Sequence, residues 1–251
     1  MEKLLKLDKI NAGYEHQTIL KDINLEVKKQ DFIGIIGPNG GGKTTLLKVI
    51  LGLIKPFSGK IDYFFPGDFK DSRTFIGYLP QQVSFDKKFP ISVGEVVLSG
   101  LISSGRKSTK SNSELNILLE EILNKLGMTD HRNTSIGELS GGQIQRVFLG
   151  RAIISQPALL ILDEPDSFVD NRFEHELYEI LRQLNETMAI MLVSHDIGTV
   201  SSYIKTIACV NQSLHYHPSN SISSAQLKVY NCPIDIITHG SVPHRVLHEH
   251  K

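Results

Sequence analysis

The sequence predicts an α/β fold, because apolar runs of strand length alternate with segments of helical periodicity. Three runs, 32–36, 158–162 and 189–193, are apolar almost throughout, as is typical of parallel strands covered on both faces. Residues 43–51 repeat apolar side chains at helical spacing after the first run, and 177–184 do so between the second and third. The alternation of these two patterns indicates a sheet flanked by helices.

Two further patterns predict additional subdomains. Residues 4–10 and 19–27 alternate apolar and polar side chains, which indicates half-buried antiparallel strands. From about residue 82 to 139 the pattern changes to two or three amphipathic helices. Their apolar positions are Val93, Val96 and Val97 in one helix and Leu115, Leu118, Leu119, Ile122, Leu123 and Leu126 in another. We therefore expect an N-terminal antiparallel β subdomain and an inserted α-helical subdomain.

Length and composition argue against several classes of protein. The chain has 251 residues, enough for one large domain with an insertion. Basic and acidic residues are equal at 27 each, without a long basic block, so we expect no nucleic-acid partner. The two cysteines, Cys209 and Cys232, fit a reducing compartment. The first residues lack a signal peptide and the apolar runs are too short to cross a bilayer, so any membrane association requires another chain.

A glycine-rich loop lies between the first apolar run and the helix that follows it. Residues 37–44 match G-x-x-x-x-G-K-T, in which glycines let several backbone N–H groups point at one phosphate. Lys43 would reach the β- and γ-phosphates, the Thr44 hydroxyl would bind Mg²⁺, and Thr45 would contact a further phosphate oxygen. The predicted phosphate-binding residues are Gly37, Pro38, Asn39, Gly40, Gly41, Gly42, Lys43, Thr44 and Thr45. A glycine turn without a ligand is the alternative, which the flanking strand and helix disfavour.

Two acidic residues follow the second apolar run. Asp163 would place its carboxylate at the carboxyl end of a parallel strand, where ligands bind in such sheets, and would hold Mg²⁺. Glu164 would point to the other side, where a carboxylate can orient and deprotonate the water that attacks the γ-phosphate. The alternative is that both residues only cap the strand end, and the phosphate loop makes this the weaker interpretation.

A second candidate anion site is the segment Leu139–Gln143, which reads LSGGQ. It precedes a predicted helix over about 141–155, so the N–H groups of the first helical turn can bind a phosphate, and a serine before that turn can cap the helix. The predicted contacts are Ser140, Gly141, Gly142 and Gln143. An ordinary helix cap is the alternative. Two phosphate sites on one chain favour a dimer in which each ATP lies between opposite sites.

The order of these motifs over residues 5–215 resembles the ATP-binding subunit of an ABC transporter. The resemblance implies a P-loop NTPase (RecA-like) core with the two attached subdomains. By the same resemblance Tyr14 would stack on adenine, and Gln81 would contact Mg²⁺ or the attacking water. Gln82 is the alternative to Gln81, and a packing tyrosine is the alternative for Tyr14.

Two further roles depend on the resemblance. Asp170 matches the D-loop aspartate, which would act across the dimer, although Phe168 and Val169 are larger than is usual in that loop. His195 matches the switch histidine, which would contact the γ-phosphate. A structural histidine after an apolar strand is the alternative for His195.

The resemblance also implies a domain organisation and an assembly. The expected parts are 1–81 and 141–215 for the nucleotide-binding core, 82–140 for the helical subdomain and 216–251 for a His-rich extension. ATP and Mg²⁺ are the expected cofactors. The expected partners are a second copy in a homodimer, integral membrane permease subunits and, indirectly, an extracytoplasmic metal-binding protein. The expected location is peripheral, on the cytoplasmic face of the inner membrane.

Histidines and short motifs bear on the cargo. His215 and His217 lie two residues apart, on one face if this segment is a strand, and His239, His244, His248 and His250 follow. A solvated tail is the alternative to metal binding. The segments 77–81, 89–93, 214–217, 232–240 and 243–247 resemble the ATPases of zinc and manganese importers. We therefore expect zinc or manganese import. The alternatives are transport of a siderophore, lipid or drug, and a non-transport ABC ATPase.

Overall fold

The structure is a computed structural model that describes residues 2–15, 17–65, 75–82, 85–103, 111–165, 171–194, 200–220, 236–238 and 243–245. The strands are β1 (Lys3–Tyr14), β2 (Gln17–Lys28), β3 (Phe32–Ile36), β4 (Ser58–Tyr63), β5 (Ile76–Leu79), β6 (Leu159–Asp163), β7 (Ala189–Val193), β8 (Thr206–Asn211), β9 (Ser213–His217), β10 (Ile236–Thr238) and β11 (Pro243–Arg245). The helices are α1 (Lys43–Ile50), α2 (Val93–Ser103), α3 (Asn112–Lys125), α4 (Gly141–Ile153) and α5 (Asn171–Leu184), with short 3₁₀ turns at Thr129–His131 and Ile136–Glu138.

The chain divides into two compact units. The first unit comprises residues 1–64 and 189–251, and the second comprises residues 65–188. Strands and helices alternate along the chain, which confirms the α/β prediction. The divisions predicted at 81/82, 140/141 and 215/216 differ from these compact units and stay a prediction.

The first unit contains a three-stranded antiparallel sheet of order β2-β1-β4. Leu7 on β1 lies opposite Leu25 on β2, Ile10 lies opposite Ile23, and all four side chains are buried. Alternation of apolar and polar residues thus gives the sheet one apolar face. The antiparallel strands predicted over 4–10 and 19–27 are confirmed, and both extend beyond the alternating residues.

A second sheet of the first unit has the order β7-β3-β8-β9. β3 is parallel to both β7 and β8, and β9 is antiparallel to β8. Every residue of β3 and β7 is buried, which explains why runs 32–36 and 189–193 show no alternation. Because β3 ends at Ile36, the glycine-rich loop and α1 follow from the carboxyl end of a parallel strand.

The second unit contains the parallel strands β5 and β6 and the helices α2 to α5. Helix α2 approaches α4 closely, because a Cβ atom on Gly100 would lie 2.0 Å from the carbonyl oxygen of Arg151. Strand β5 also approaches α4, since a Cβ atom on Gly77 would lie 2.4 Å from the carbonyl oxygen of Ala152. Two of the amphipathic helices predicted within 82–139 are confirmed, as α2 and α3.

The remaining described strands, β10 and β11, pair with each other in antiparallel orientation. Within the described part of the chain, no helix has both the length and the apolar character needed to cross a membrane.

Candidate functional site

The glycine-rich loop lies tightly against the end of β8. A Cβ atom on Gly37 would lie 2.0 Å from the Val210 carbonyl oxygen, and one on Gly41 would lie 2.8 Å from the same atom. Gly37, Gly40 and Gly42 have positive φ angles of 150°, 74° and 103°. Glycine is required at Gly37 by both space and backbone conformation, since an L side chain fits neither. The sequence pattern therefore corresponds to a curled backbone cradle.

Helix α1 begins directly after this cradle, without a side-chain cap. Its N-cap is Gly42, which has a left-handed backbone conformation and no side chain to accept a hydrogen bond from the first turn. A Cβ atom there would lie 2.7 Å from Leu20 Cδ2, so β2 closes the cradle on that side. A helix N-terminus that lacks a capping side chain and carries a partial positive charge suits an anion.

Lys43, the first residue of α1, places its ammonium group inside the cradle. The side chain is only 6% exposed, and Nζ donates hydrogen bonds to the carbonyl oxygens of Gly37 at 2.9 Å and Pro38 at 3.1 Å. Thr45 is buried, whereas Thr44, Asn39 and Gly40 retain exposure. The loop thus holds a positive charge among inward-curving backbone groups, which is the chemistry needed to bind a polyphosphate.

Two residues that the sequence analysis did not identify support the loop from behind. The Gln212 N–H donates to the Gly41 carbonyl at 2.9 Å, and the Lys21 N–H donates to the Gln212 carbonyl at 2.7 Å. Lys21 Nζ also donates to Gln212 Oε1 at 3.2 Å. Gln212 forms the tight turn between β8 and β9, with a φ angle of 59°. Glutamine is not a typical turn residue, so the local sequence gives no sign that Gln212 forms this turn or contacts the glycine-rich loop.

Tyr14 lies at the end of β1 and is 46% exposed. Lys48 of α1 contacts it twice, with Nζ 3.4 Å from the Tyr14 hydroxyl and 5.7 Å from the ring centroid. An exposed aromatic ring next to the helix that follows the phosphate cradle provides a surface on which a nucleobase can stack.

In the second unit, the acidic pair occupies the end of β6. Asp163 is its last residue, Glu164 follows, and both side chains are buried. Glu164 has a φ angle of 51°, a left-handed conformation that costs a non-glycine residue about 1–3 kcal/mol. Such strain is found preferentially at functional sites. Burial, and then the charge of Asp163, raise the pKa of Tyr78 on β5 to about 12, so this tyrosine stays protonated.

Gln81 contacts the second carboxylate of this pair. Its side-chain amide Nε2 donates a hydrogen bond to Glu164 Oε2. The structure thus brings Gln81, rather than the neighbouring Gln82, to Glu164 among the contacts of the described residues. A water molecule could replace the Gln81 amide as the hydrogen-bond donor to Glu164.

The LSGGQ segment forms the beginning of α4, as the sequence predicts. Ser140 and Gln143 form a capping box, in which the Gln143 N–H donates to Ser140 Oγ at 3.3 Å and the Ser140 N–H donates to Gln143 Oε1 at 2.9 Å. Gln143 Nε2 lies 3.0 Å from His131 Nε2. Ser140 and Gly141 are exposed, and Gly142 retains partial exposure, so an anion can approach this helix end.

The other predicted residues give a mixed result. Asp170 and His195 lie outside the described residues, as do His239, His248 and His250. His215 and His217 both lie on β9, opposite Cys209 and Ile207 of β8. Burial, and then the charge of His215, lower the pKa of His217. Among the described residues, no three histidine, cysteine, aspartate or glutamate side chains come together as metal ligands do.

The chain resembles proteins of one family throughout most of its length. Residues 20–167 match the family model described as ABC transporter. The chain is 39% identical over 224 residues to the zinc uptake system ATP-binding protein ZurA of Listeria innocua, covering 87% of each chain. It is 38% identical over 223 residues to the manganese transport system ATP-binding protein MntB of Bacillus subtilis, covering 87% of this chain and 88% of the relative.

A solved structure is similar over nearly the same length. The ATP-binding cassette MJ0796, dimeric and bound to ADP and Pi in a post-hydrolysis state, superimposes with a TM-score of 0.75 at 25% identity, covering 88% of this chain and 100% of that one. The family model covers more than half of the chain, and more than a third of the aligned residues are identical in both relatives, over most of each protein's length. The chain therefore belongs to the ABC transporter family as an ATP-binding subunit.

Proposed function

We propose that this chain is the ATP-hydrolysing subunit that powers import of a divalent metal ion, zinc or manganese. The main support for ATPase activity is the cradle formed by the glycine-rich loop. No residue larger than glycine fits at position 37, and the cradle holds the buried ammonium group of Lys43. The metal assignment is supported by the zinc uptake and manganese transport relatives. Transport of another solute by the same type of subunit is the alternative.

Nucleotide binding uses the first unit. The backbone N–H groups of the loop, together with Lys43 and Thr45, bind the β- and γ-phosphates. The Lys43 ammonium exchanges its bonds to the Gly37 and Pro38 carbonyls for bonds to phosphate oxygens. Tyr14 offers its exposed ring to adenine. Binding energy therefore comes mainly from charge-assisted hydrogen bonds, with a stacking contribution from the base.

We expect oxygen donors of the chain to hold Mg²⁺ together with the nucleotide. The Thr44 hydroxyl, the Asp163 carboxylate and the Gln81 amide oxygen are hard oxygen donors, which this ion prefers. Asp163 is the last residue of β6, and its side chain is buried there. When bound, the ion neutralises charge on the phosphate oxygens.

Hydrolysis depends on Glu164. Its carboxylate accepts a proton from water while the water oxygen bonds to the γ-phosphorus and the bond to the β-phosphate oxygen breaks. To do so, Glu164 exchanges its hydrogen bond from Gln81 for one from water. His195 contacts the γ-phosphate, and Asp170 acts across the dimer. The strained backbone of Glu164 is consistent with a position retained for chemistry.

Two copies of the chain form the working unit. The N-terminus of α4, with Ser140, Gly141, Gly142 and Gln143, contacts the nucleotide held by the other copy. The structurally similar cassette bound to ADP and Pi is dimeric, which supports a working unit of two copies. Closure on ATP and opening after hydrolysis drive permease subunits in the membrane, with the ATPase on the cytoplasmic face and a metal-binding protein on the opposite side.

The substitution Glu164→Gln tests the catalytic assignment. A glutamine cannot accept the proton, so turnover should fall by about a hundredfold to ten-thousandfold, while ATP affinity is retained and an ATP-bound dimer accumulates on size-exclusion chromatography. Glu121→Gln changes an exposed glutamate of α3 in the same way and serves as the matched control. Full turnover in the Glu164 variant would contradict the assignment.

The cargo requires a separate measurement. In cells that lack this chain, uptake of zinc or manganese should fall and should return with the intact chain but not with the Glu164→Gln variant. Unchanged uptake of both metals, together with loss of another solute, would show that the ATPase serves a different cargo.

A further inference from the structure

We propose that Lys48 is a positioning residue, which orients the Tyr14 ring as a platform for the nucleobase. The inference rests on the proposed function, in which Tyr14 stacks on adenine. Lys48 lies outside the phosphate-binding motif, five positions after Lys43.

The exposed side of α1 connects the phosphate cradle with Tyr14. Six of the eight residues Lys43–Ile50 are buried, and the two that are not are Thr44 and Lys48. Residues four apart lie on one face of a helix, separated by about 6 Å along its axis. Lys48 thus lies one turn beyond Thr44 on the side of α1 that stays open to a ligand.

The contacts of Lys48 hold Tyr14 at both its hydroxyl and its ring. The ammonium nitrogen lies 3.4 Å from the tyrosine oxygen and 5.7 Å from the ring centroid. The distance to the centroid is within the range of a cation–π interaction. Tyr14 is 46% exposed at a strand end, so its side chain has freedom to change rotamer. A contact with Lys48 that selects one rotamer in advance reduces the conformational entropy lost when a base stacks on the ring.

The position of Lys48 in the helix supports this role. Lys48 is the basic residue in the last turn of α1, where the negative end of the helix dipole stabilises a cation. The same turn is anchored by the Lys48 carbonyl, which accepts hydrogen bonds from the N–H groups of Leu53 and Ile54 at 2.8 and 3.2 Å. The backbone at Lys48 is therefore anchored at the end of α1, and from there the side chain reaches Tyr14.

Comparing ATP with inorganic tripolyphosphate separates the base from the phosphates. With the full chain and Mg²⁺, Lys48→Met should weaken ATP binding about threefold to tenfold and leave tripolyphosphate binding unchanged. Lys48→Arg, which keeps a cation and hydrogen-bond donors, should restore most of the ATP affinity. In steady state, KM for ATP should rise in Lys48→Met while kcat changes by less than about twofold. Lys60→Met replaces an exposed lysine of β4 and is the matched control.

Two results would overturn the inference. Equal weakening of ATP and tripolyphosphate would assign Lys48 to phosphate binding instead. Unchanged affinity for ATP in Lys48→Met would show that its contacts with Tyr14 have no role in nucleotide binding.

Tyr14 variants distinguish this inference from the proposed function. Tyr14→Ala should weaken ATP about tenfold to a hundredfold and leave tripolyphosphate unchanged, and adding Lys48→Met to it should cause no further loss. Since the chain has no tryptophan, Tyr14→Trp introduces a single reporter whose emission ATP should quench and tripolyphosphate should not. If Tyr14→Ala leaves ATP affinity intact, the adenine-stacking role is wrong. If Tyr14→Ala weakens ATP and Lys48→Met does not, only the positioning inference is wrong.

Discussion

The N-termini of α1 and α4 meet the same physical requirement in different ways. Every helix leaves the N–H groups of its first turn without partners inside the helix. Helix α1 follows Gly42, which provides no capping side chain, and begins with Lys43 inside a glycine cradle. Helix α4 follows Ser140, whose hydroxyl and backbone exchange hydrogen bonds with Gln143 in a complete capping box.

This difference suits two kinds of phosphate contact. At α1 the chain itself supplies a charge and a shaped backbone, so one copy suffices to bind the phosphates. At α4 a phosphate competes with the Ser140 cap, which is worth about 1 kcal/mol to the helix. Contact at α4 is therefore expected only when a second copy brings in a nucleotide that is already bound.

The largest effect should come from filling the α1 cradle. Gly37→Ala places a methyl group 2.0 Å from the Val210 carbonyl oxygen at a positive φ angle, so the loop must move and the free energy of unfolding should fall by about 3 kcal/mol. ATP binding should be lost together with it. Gly40→Ala is the matched control, because its Cβ atom meets nothing within 4 Å and only the φ angle of 74° is unfavourable. The control should cost about 1 kcal/mol.

These values are measured by urea unfolding and nucleotide titration. A Gly37 variant that is as stable as the Gly40 variant would show that the loop does not depend on contact with β8.

The next largest effect should follow from removing the charge in the same cradle. Lys43→Ala deletes charge-assisted hydrogen bonds to phosphate, each worth about 1.5–3 kcal/mol, so ATP affinity should fall at least tenfold. Unlike Tyr14→Ala, this variant should weaken tripolyphosphate as strongly as ATP. Lys55→Ala, which removes an exposed lysine just after α1, should change neither affinity. Unaltered nucleotide titrations in Lys43→Ala would contradict the site.

The smallest effect should arise at α4. Ser140→Ala removes the cap and should lower the free energy of unfolding by about 1 kcal/mol. ATP affinity of the single copy should stay the same, whereas ATP-dependent dimerisation and turnover should fall. Ser111→Ala removes the same kind of capping box from α3, where Ser111 pairs with Glu114.

The Ser111 variant should therefore lose a similar amount of stability and keep full turnover. If the two serine variants had equal turnover, Ser140 would be only a helix cap, and the comparison between α1 and α4 would lose its functional meaning.

Local sequence was sufficient to predict several strands and the starts of two helices. Alternating residues predicted the β1–β2 pair, continuous apolar runs predicted β3, β6 and β7, and the loop and LSGGQ patterns located the starts of α1 and α4. These features depend on side-chain period, backbone freedom and capping over a few residues, which a sequence records directly. The roles of Asp170 and His195 remain predictions from the resemblance.

Contacts between distant residues were decided only by the tertiary structure. Gln81 and Glu164 are 83 residues apart, Lys21 and Gln212 are 191 apart, and Tyr14 and Lys48 are 34 apart. Each pair joins elements whose relative placement depends on packing of the sheets and helices around them, and glutamine, lysine and tyrosine occur on many surfaces without such partners. The sequence by itself determined which residues could bind a phosphate, and the fold decided which other side chains hold them in place.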